Sequence, residues 1–509
     1  MTSCLSSMRS KPTELTPLIF VAKIIIIPIF TLFLTMIYKA GMKNTFFTLV
    51  FTSFFVFAMH AQSTGYSIRI ELEGYHDTLG YLGYYRGDKL SVADTAHAEN
   101  GKMVFEGDLP LPQGVYFLVS AGKQKIIEFL IDDQQFFSIK TGMNDPAGMA
   151  EIAGSDENRL FFTYLNHNKQ SYENLKRLQK LKAGLIDHPD SLALLNHQID
   201  SINRESVSYK LRLMEEHPES MTALLFRIMK EPVLSDFFEE NGRQDTLYAY
   251  LYFRQHYWDG VDFSDDRYLR TPVFHRKLSR YMEEVIPKHP DSVIKTIDAM
   301  ILETQGNEVM RDYLLWYFTG TYEASNIMGY DRIFVHMVDR YFAGQTYEWL
   351  HPGVQQNMTG RADQLRNLLI GNYAPPLLLA DTNNQIISLH QLKAEYLIIL
   401  FWSGDCGECK REINILDDFS QKTDLDIGIY AINTDTTLTK WKRFIRENSL
   451  DWIHVNGNIS LSGDYHDLYD IYSTPVIYVL DEQKRIIAKR LSAEQLPEFL
   501  RHEKKMKTN

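Results

Sequence analysis

From Tyr66 to about Gly154 the apolar residues fall in short, strand-like runs. Tyr66-Ser67-Ile68-Arg69-Ile70-Glu71-Leu72 alternates with period two, and similar runs follow at Met103–Glu106, Val115–Ser120, Ile126–Ile131 and Gln135–Lys140. Asn100-Gly101 and Asp132-Asp133 supply turn residues between them. Short strands with regular turn signals predict an all-β, sandwich-like or barrel domain over residues 62–154. That stretch carries no cluster of catalytic residue types.

The period then lengthens. Ser155 is placed to cap a long amphipathic helix reaching Leu181, and helical spacing continues to about Asn367. Three breaks resemble one another: His188-Pro189-Asp190-Ser191, His217-Pro218-Glu219-Ser220 and His289-Pro290-Asp291-Ser292. Proline ends one helix and the acid–serine pair can cap the next. Their irregular spacing favours helix punctuation over a histidine metal site or a repeat array. Residues 155–367 are therefore expected to form an all-α domain, and the aromatics from Tyr248 to Trp258 to fill its core.

Strands and helices alternate over the last segment, residues 368–509. Leu377–Ala380 and Ile386–Ser388 predict a leading hairpin. Tyr396–Trp402 is a continuous apolar run, as expected of a strand buried on both faces. A helix is expected from Cys406 to Phe419, a strand at Ile427–Asn433, a helix at Thr437–Asn448 and a strand at Trp452–Asn456. A hairpin of Val476–Leu480 with Arg485–Lys489 and a helix over Ala493–His502 complete an α/β, thioredoxin-like order.

Two further apolar stretches open the chain, Leu18–Tyr38 and Thr45–Ala61. The second, behind Met42-Lys43-Asn44 and ending Ala58-Met59-His60-Ala61, reads as a signal peptide over residues 42–61. Residues 1–41 are then either a stretch upstream of a true start at Met42 or a membrane segment. Both readings place the remainder in the periplasm or cell envelope, free or membrane-tethered.

Composition narrows the function. The net charge of −12 argues against a nucleic-acid partner. Of three cysteines, Cys4 precedes the signal segment, which leaves Cys406 and Cys409 as one vicinal pair. An exported chain with a single dithiol suits a redox enzyme better than a disulfide-stapled scaffold. A Cys-x-x-Cys opening a helix puts the first sulfur where unpaired N–H groups and the helix dipole stabilise a thiolate. Cys406 is thus the expected nucleophile and Cys409 the shielded resolving thiol. Gly407 leaves room for a substrate chain, and Thr474-Pro475 fits a cis-proline loop facing the dithiol. A zinc half-site is disfavoured, because no second Cys-x-x-Cys or spaced histidine pair accompanies it. No cofactor is expected.

Ala374-Pro375, Ile387-Ser388-Leu389, Phe401-Trp402, Cys406/Cys409, Glu412 and Ser473-Thr474-Pro475 together make residues 371–502 resemble the TlpA/ResA-type thioredoxin-like family, which is similar to the AhpC/TSA-type domains. The resemblance implies envelope thiol–disulfide oxidoreductases acting on disulfide-bearing partner proteins, with a separate membrane or periplasmic thiol electron donor. It implies a proton-transfer role for Glu412 beside Cys409, and substrate contacts at Trp402, Gly407, Thr474 and Pro475. The departures are Asp405 and Glu408 around Cys406, and Leu400 where thioredoxins bury an aspartate. Two acids beside Cys406 should disfavour its thiolate and give a reducing pair. A peroxidase is the lesser alternative, since Ile399 stands where a peroxidatic motif has its proline. The other alternative is an envelope binding or scaffold protein with a redox-sensing dithiol.

Overall fold

The computed structural model describes residues 65–183, 189–234 and 245–508. The two N-terminal apolar stretches and the signal-peptide reading lie outside these residues. Among the described residues, no helix is long and apolar enough to cross a membrane.

Among the described residues eight strands come first: β1 (Tyr66–Glu73), β2 (Leu79–Arg86), β3 (Lys89–His97), β4 (Lys102–Gly107), β5 (Gly114–Ser120), β6 (Lys125–Ile131), β7 (Phe136–Gly142) and β8 (Glu151–Ala153). They form two four-stranded sheets, ordered β4-β1-β7-β8 and β3-β2-β5-β6. Strands β2 and β3 were not expected from the pattern. Gly80 and Gly83 interrupt the β2 signal, and both are there for packing. A Cβ at Gly80 would lie 2.4 Å from the Met103 sulfur, and one at Gly83 2.3 Å from the Phe117 ring.

Nine α-helices follow among the described residues: α1 (Asp156–Ala183), α2 (Pro189–Glu216), α3 (Met221–Met229), α4 (Thr246–His256), α5 (Phe274–Arg280), α6 (Pro290–Glu303), α7 (Glu308–Glu323), α8 (Asp331–Met337) and α9 (Pro352–Arg366). Ser155 Oγ accepts from the Asn158 N–H at the start of α1, and Ser220 Oγ from the Ala223 N–H at the start of α3. At α6 the cap is the histidine itself: His289 Nδ1 accepts from the Asp291 N–H, and His351 does the same for Gly353 at α9. The recurring His-Pro pairs at these two starts are therefore capping devices. The break at His188 lies outside the described residues.

By internal contacts the chain divides differently from its secondary-structure types. The described residues up to Met229, with Arg267–Val273, form one compact unit. Lys230–Asp266 and the described residues from Phe274 onward form the other, so α5–α9 share a unit with the C-terminal sheet.

That sheet has seven strands: β9 (Leu378–Asp381), β10 (Ile386–Ser388), β11 (Tyr396–Trp402), β12 (Ile427–Asn433), β13 (Ile453–Ser460), β14 (Val476–Asp481) and β15 (Ile486–Lys489), in the order β10-β9-β13-β12-β11-β14-β15. Strands β11, β12 and β13 run parallel, while β14 is antiparallel to β11. The helices are α10 (Gly407–Lys422), α11 (Leu438–Glu447), α12 (Tyr465–Tyr469) and α13 (Leu496–Thr508). All seven residues of β11 are buried, with Leu397, Ile399 and Phe401 in one core cluster and Ile398, Leu400 and Trp402 in the other. A central strand must be apolar on both faces when both are covered. This is the thioredoxin-like arrangement.

One buried group gives this domain a pH signature. His454 on β13 is paired in register with Ala431 and buried. Burial lowers its pKa to about 4, with the Leu450 backbone pulling the other way to a lesser extent. The folded state therefore holds the neutral ring, and the unfolded chain takes up a proton that the folded one refuses. Stability from this group is complete above pH ~6.5 and declines as pH falls towards 4, by about 3 kcal/mol in all. Melting temperatures of wild type and His454→Gln between pH 7 and 4 check this. The variant should lose less stability over that interval, and parallel curves would contradict the assignment.

Candidate functional site: a dithiol facing a cis-proline loop

Strand β11 ends at Trp402, at the carboxyl edge of the parallel strands, and the turn Ser403–Asp405 delivers the chain to α10. Asp435, just beyond β12, holds this turn. Its carboxylate accepts from Ser403 Oγ at 2.5 Å, from the Gly404 N–H at 2.6 Å and from Asn433 Nδ2 at 3.0 Å. Burial alone would raise the Asp435 pKa. Hydrogen bonds from Ser403, Asn433 and Gly404, with the nearby charge of Lys440, more than offset that and hold it below the usual carboxylate range. Sequence reasoning missed this residue. The available signal was an Asn-Thr-Asp following a buried strand, at the sheet edge where α/β folds build sites.

Cys406 is the N-cap of α10. Its Sγ accepts the Cys409 N–H at 3.1 Å, so an unpaired amide of the first turn points at the sulfur. The two cysteines are joined as a disulfide. Cys406 is half-buried, whereas Cys409 has no exposed surface. Gly407 is exposed, and a Cβ there would meet nothing within 4 Å. Across from the helix, the Thr474–Pro475 peptide bond is cis, and the Thr474 carbonyl oxygen lies 3.6 Å from Cys406 Sγ. The structure thus places Cys406, Cys409, Gly407, Thr474 and Pro475 together.

The two flanking acids are not bare. Asp405 pairs with Lys440 of α11 at 3.0 Å, and Glu408 with Arg411 at 3.1 Å. Both pairs are exposed and screened, so they moderate the local negative charge rather than reverse it. The Lys440 contact joins residues 35 apart, beyond the reach of local spacing.

Trp402 requires a correction. It is 0% exposed, packed against Phe444 with ring centroids 5.1 Å apart. As the last residue of a strand buried on both faces it points into the core, so it supports the site from beneath and offers no surface to a substrate. Glu412 is 5% exposed and accepts from the Ala493 N–H, with Arg411 3.7 Å away. It sits one turn beyond Cys409 on α10 and also ties that helix to the segment before α13. Among the described residues there is no group of three or more His, Cys, Asp or Glu side chains that could hold a metal.

Comparison with known proteins agrees with this geometry. The AhpC/TSA family matches residues 370–489. Two domains of unknown function match upstream, DUF4369 over 66–161 and DUF5106 over 243–361. The thiol-disulfide oxidoreductase ResA of Bacillus thuringiensis subsp. konkukian is 24% identical over 136 residues, 26% of this chain and 77% of that protein. Among solved structures, a domain of a possible thiol-disulfide isomerase from Cytophaga hutchinsonii is 37% identical, over 28% of this chain and 97% of that one, with a TM-score of 0.26. A thioredoxin-like protein from Bacteroides caccae is 19% identical, over 53% of this chain and 97% of its own, with a TM-score of 0.41. With a dithiol at the head of α10 inside the segment that the AhpC/TSA family matches, and with thiol-disulfide oxidoreductases among its relatives, the chain belongs to the thioredoxin family of thiol–disulfide oxidoreductases.

Proposed function

We propose that this oxidoreductase is exported and reduces disulfides of envelope proteins through Cys406 and Cys409. The observation that supports it most is the position of Cys406 Sγ, which receives a helix N-terminal amide and lies beside the Thr474 carbonyl. In the reduced enzyme the Cys406 thiolate attacks one sulfur of a substrate disulfide. The substrate S–S bond breaks, and one substrate sulfur leaves as a thiolate. Cys409 then gives up its proton, with Glu412 as the acceptor one turn away, and attacks Cys406 Sγ. The second substrate thiol is released and the enzyme disulfide remains. Two electrons have passed to the substrate, and an external thiol reductant restores the dithiol. Glu412 thus acts on Cys409, while Gly407, Thr474 and Pro475 border the path of the substrate chain.

The remaining assignments belong to this reading. Residues 42–61 act as a signal peptide. The described residues of 65–154 form an all-β sandwich, and those of 155–367 are the helical region between it and the dithiol-bearing sheet in sequence. Support for the sandwich comes from contacts linking the two sheets: Tyr66 Oη donates to Asp94 at 2.9 Å, and Phe129 packs edge-on against Phe137.

Substrate trapping tests the proposal. The full chain with Cys409→Ser, expressed in its native cell, cannot resolve a mixed disulfide and should accumulate discrete adducts that dissolve with dithiothreitol. No adduct beyond those of a Cys406→Ser control would sink the client-reductase reading and favour a binding or scaffold role.

A further inference from the structure

The loop that carries Thr474 and Pro475 is gripped by a helix outside the thioredoxin-like sheet. Both lie in the same compact unit. Helix α9, the last of the helical region, places Arg361 against Asp470. The guanidinium makes two parallel contacts with that carboxylate, NH1 to Oδ1 and NH2 to Oδ2, the second at 2.9 Å. The Asp470 side chain is only 1% exposed. Arg490, following β15, reaches the same carboxylate at 2.8 Å and the Asp470 carbonyl at 3.3 Å. Asp470 itself has φ 56°, the left-handed conformation that closes α12 and turns the chain towards the loop.

One turn along α9, Gln364 donates to the carbonyls of His466 and Asp467 at 3.1 and 3.0 Å, and its Oε1 lies 3.4 Å from Tyr472 Oη. The Arg361 guanidinium is 5.8 Å from the centroid of the Tyr472 ring. One helix therefore anchors four residues between 466 and 472. Tyr472 is 72% exposed, Ser473 is also exposed, and the next residue carries the carbonyl that lies 3.6 Å from Cys406 Sγ.

We infer that α9 is a working part of the exchange site: Arg361 and Gln364 are positioning residues that fix the 470–475 loop for the substrate chain. The inference rests on the exchange function proposed above. A substrate segment docking beside Cys406 has to pair with backbone groups of this loop, in the manner of an added strand. Disulfide exchange also needs the attacking sulfur in line with the bond it breaks, so small displacements of the docked chain are costly. The Asp470 carboxylate explains why an arginine does this work. A buried carboxylate needs a planar, two-donor partner on the side where the loop leaves the domain. Arg490 satisfies it from the sheet side and Arg361 from the helical side. Removing Arg361 leaves Asp470 paired but held from one direction only, so the loop loosens without stranding a buried charge.

The test uses the full chain. KM and kcat are measured for reduction of a disulfide-bonded peptide, with dithiothreitol as donor, for wild type, Arg361→Gln and Arg361→Lys. Alkylation of Cys406 by iodoacetamide is followed against pH in each. Arg361→Gln should raise KM roughly tenfold and change kcat much less, because docking rather than thiol chemistry is disturbed. The alkylation pH profile should stay in place, and lysine should restore part of the loss. If Arg361→Gln does not fold, Gln364→Ala removes no charge and should still raise KM. An unchanged KM in the variant that folds overturns the inference, as does a shifted alkylation profile with unaltered KM. A wild-type chain without exchange activity would overturn the functional reading itself; an active wild type with indifferent variants overturns only the role of α9.

Discussion

Cys406→Ser should abolish disulfide exchange, lowering the reduction rate of a peptide disulfide by roughly a thousandfold or more, to the level of the donor thiol alone. The expectation follows from the asymmetry of the pair. Cys406 is half-buried and receives the Cys409 amide on its sulfur, whereas Cys409 has no surface through which to meet a substrate. Serine keeps the N-cap hydrogen bond, so the helix should remain intact and the loss should be chemical. Cys409→Ser should fail differently, attacking once and then stalling as a mixed disulfide. Single-turnover kinetics with mass detection of the adduct separates the two. A Cys406→Ser protein that still exchanges, or a Cys409→Ser protein that forms its adduct through another residue, would contradict the assignment of roles.

Phe401→Ala should destabilise the thioredoxin-like domain by about 3–5 kcal/mol, the range for deleting a buried phenylalanine. Phe401 has no exposed surface and lies on the central strand, one residue before Trp402. Its ring is ringed by Tyr465, Tyr469 and Tyr478 at centroid distances of 5.8, 5.5 and 6.4 Å. These tyrosines do more than pack. Tyr478 Oη donates to the Tyr469 carbonyl at 2.8 Å, and Tyr469 Oη to the Pro375 carbonyl at 2.5 Å, so they tie α12 to the sheet just before the cis-proline loop. A cavity at Phe401 cannot close without moving them. Urea denaturation checks the magnitude, and a loss below about 1 kcal/mol would mean that the site repacks freely.

How much of this was legible in the sequence depended on the distance over which a signal acts. The C-terminal strand order was readable because β11 is continuously apolar and the neighbouring helices are amphipathic, both of which are local patterns. The Cys-x-x-Cys at a helix start carried its chemistry in four residues. Strand β2 was not readable, because Gly80 and Gly83 are chosen for what lies opposite them, the Met103 sulfur and the Phe117 ring. Trp402 was misassigned because its place beside the dithiol in sequence says nothing about which way the side chain points. Alternation along β11 sends it inwards with Ile398 and Leu400. Asp435, Lys440 and Arg361 were missed for one shared reason. Each reaches the site across a gap of 31 to 109 residues, and polar residues at such distances leave no periodic trace.

The electrostatics around Cys406 support the proposal of a reducing thiol–disulfide exchange pair. One helix terminus favours the thiolate, while Asp405 and Glu408 oppose it, each moderated by a single exposed cation. A thiolate without a surplus of positive charge stabilises the reduced form only modestly, which keeps the disulfide form favourable and the potential low. The most direct measurement is the equilibrium of Cys406 and Cys409 with a defined thiol–disulfide buffer, followed by gel shift after alkylation. A single two-electron transition nearer about −270 mV than about −120 mV is the predicted result. No transition at all, or one close to about −120 mV, would contradict the account of this protein as a reductant.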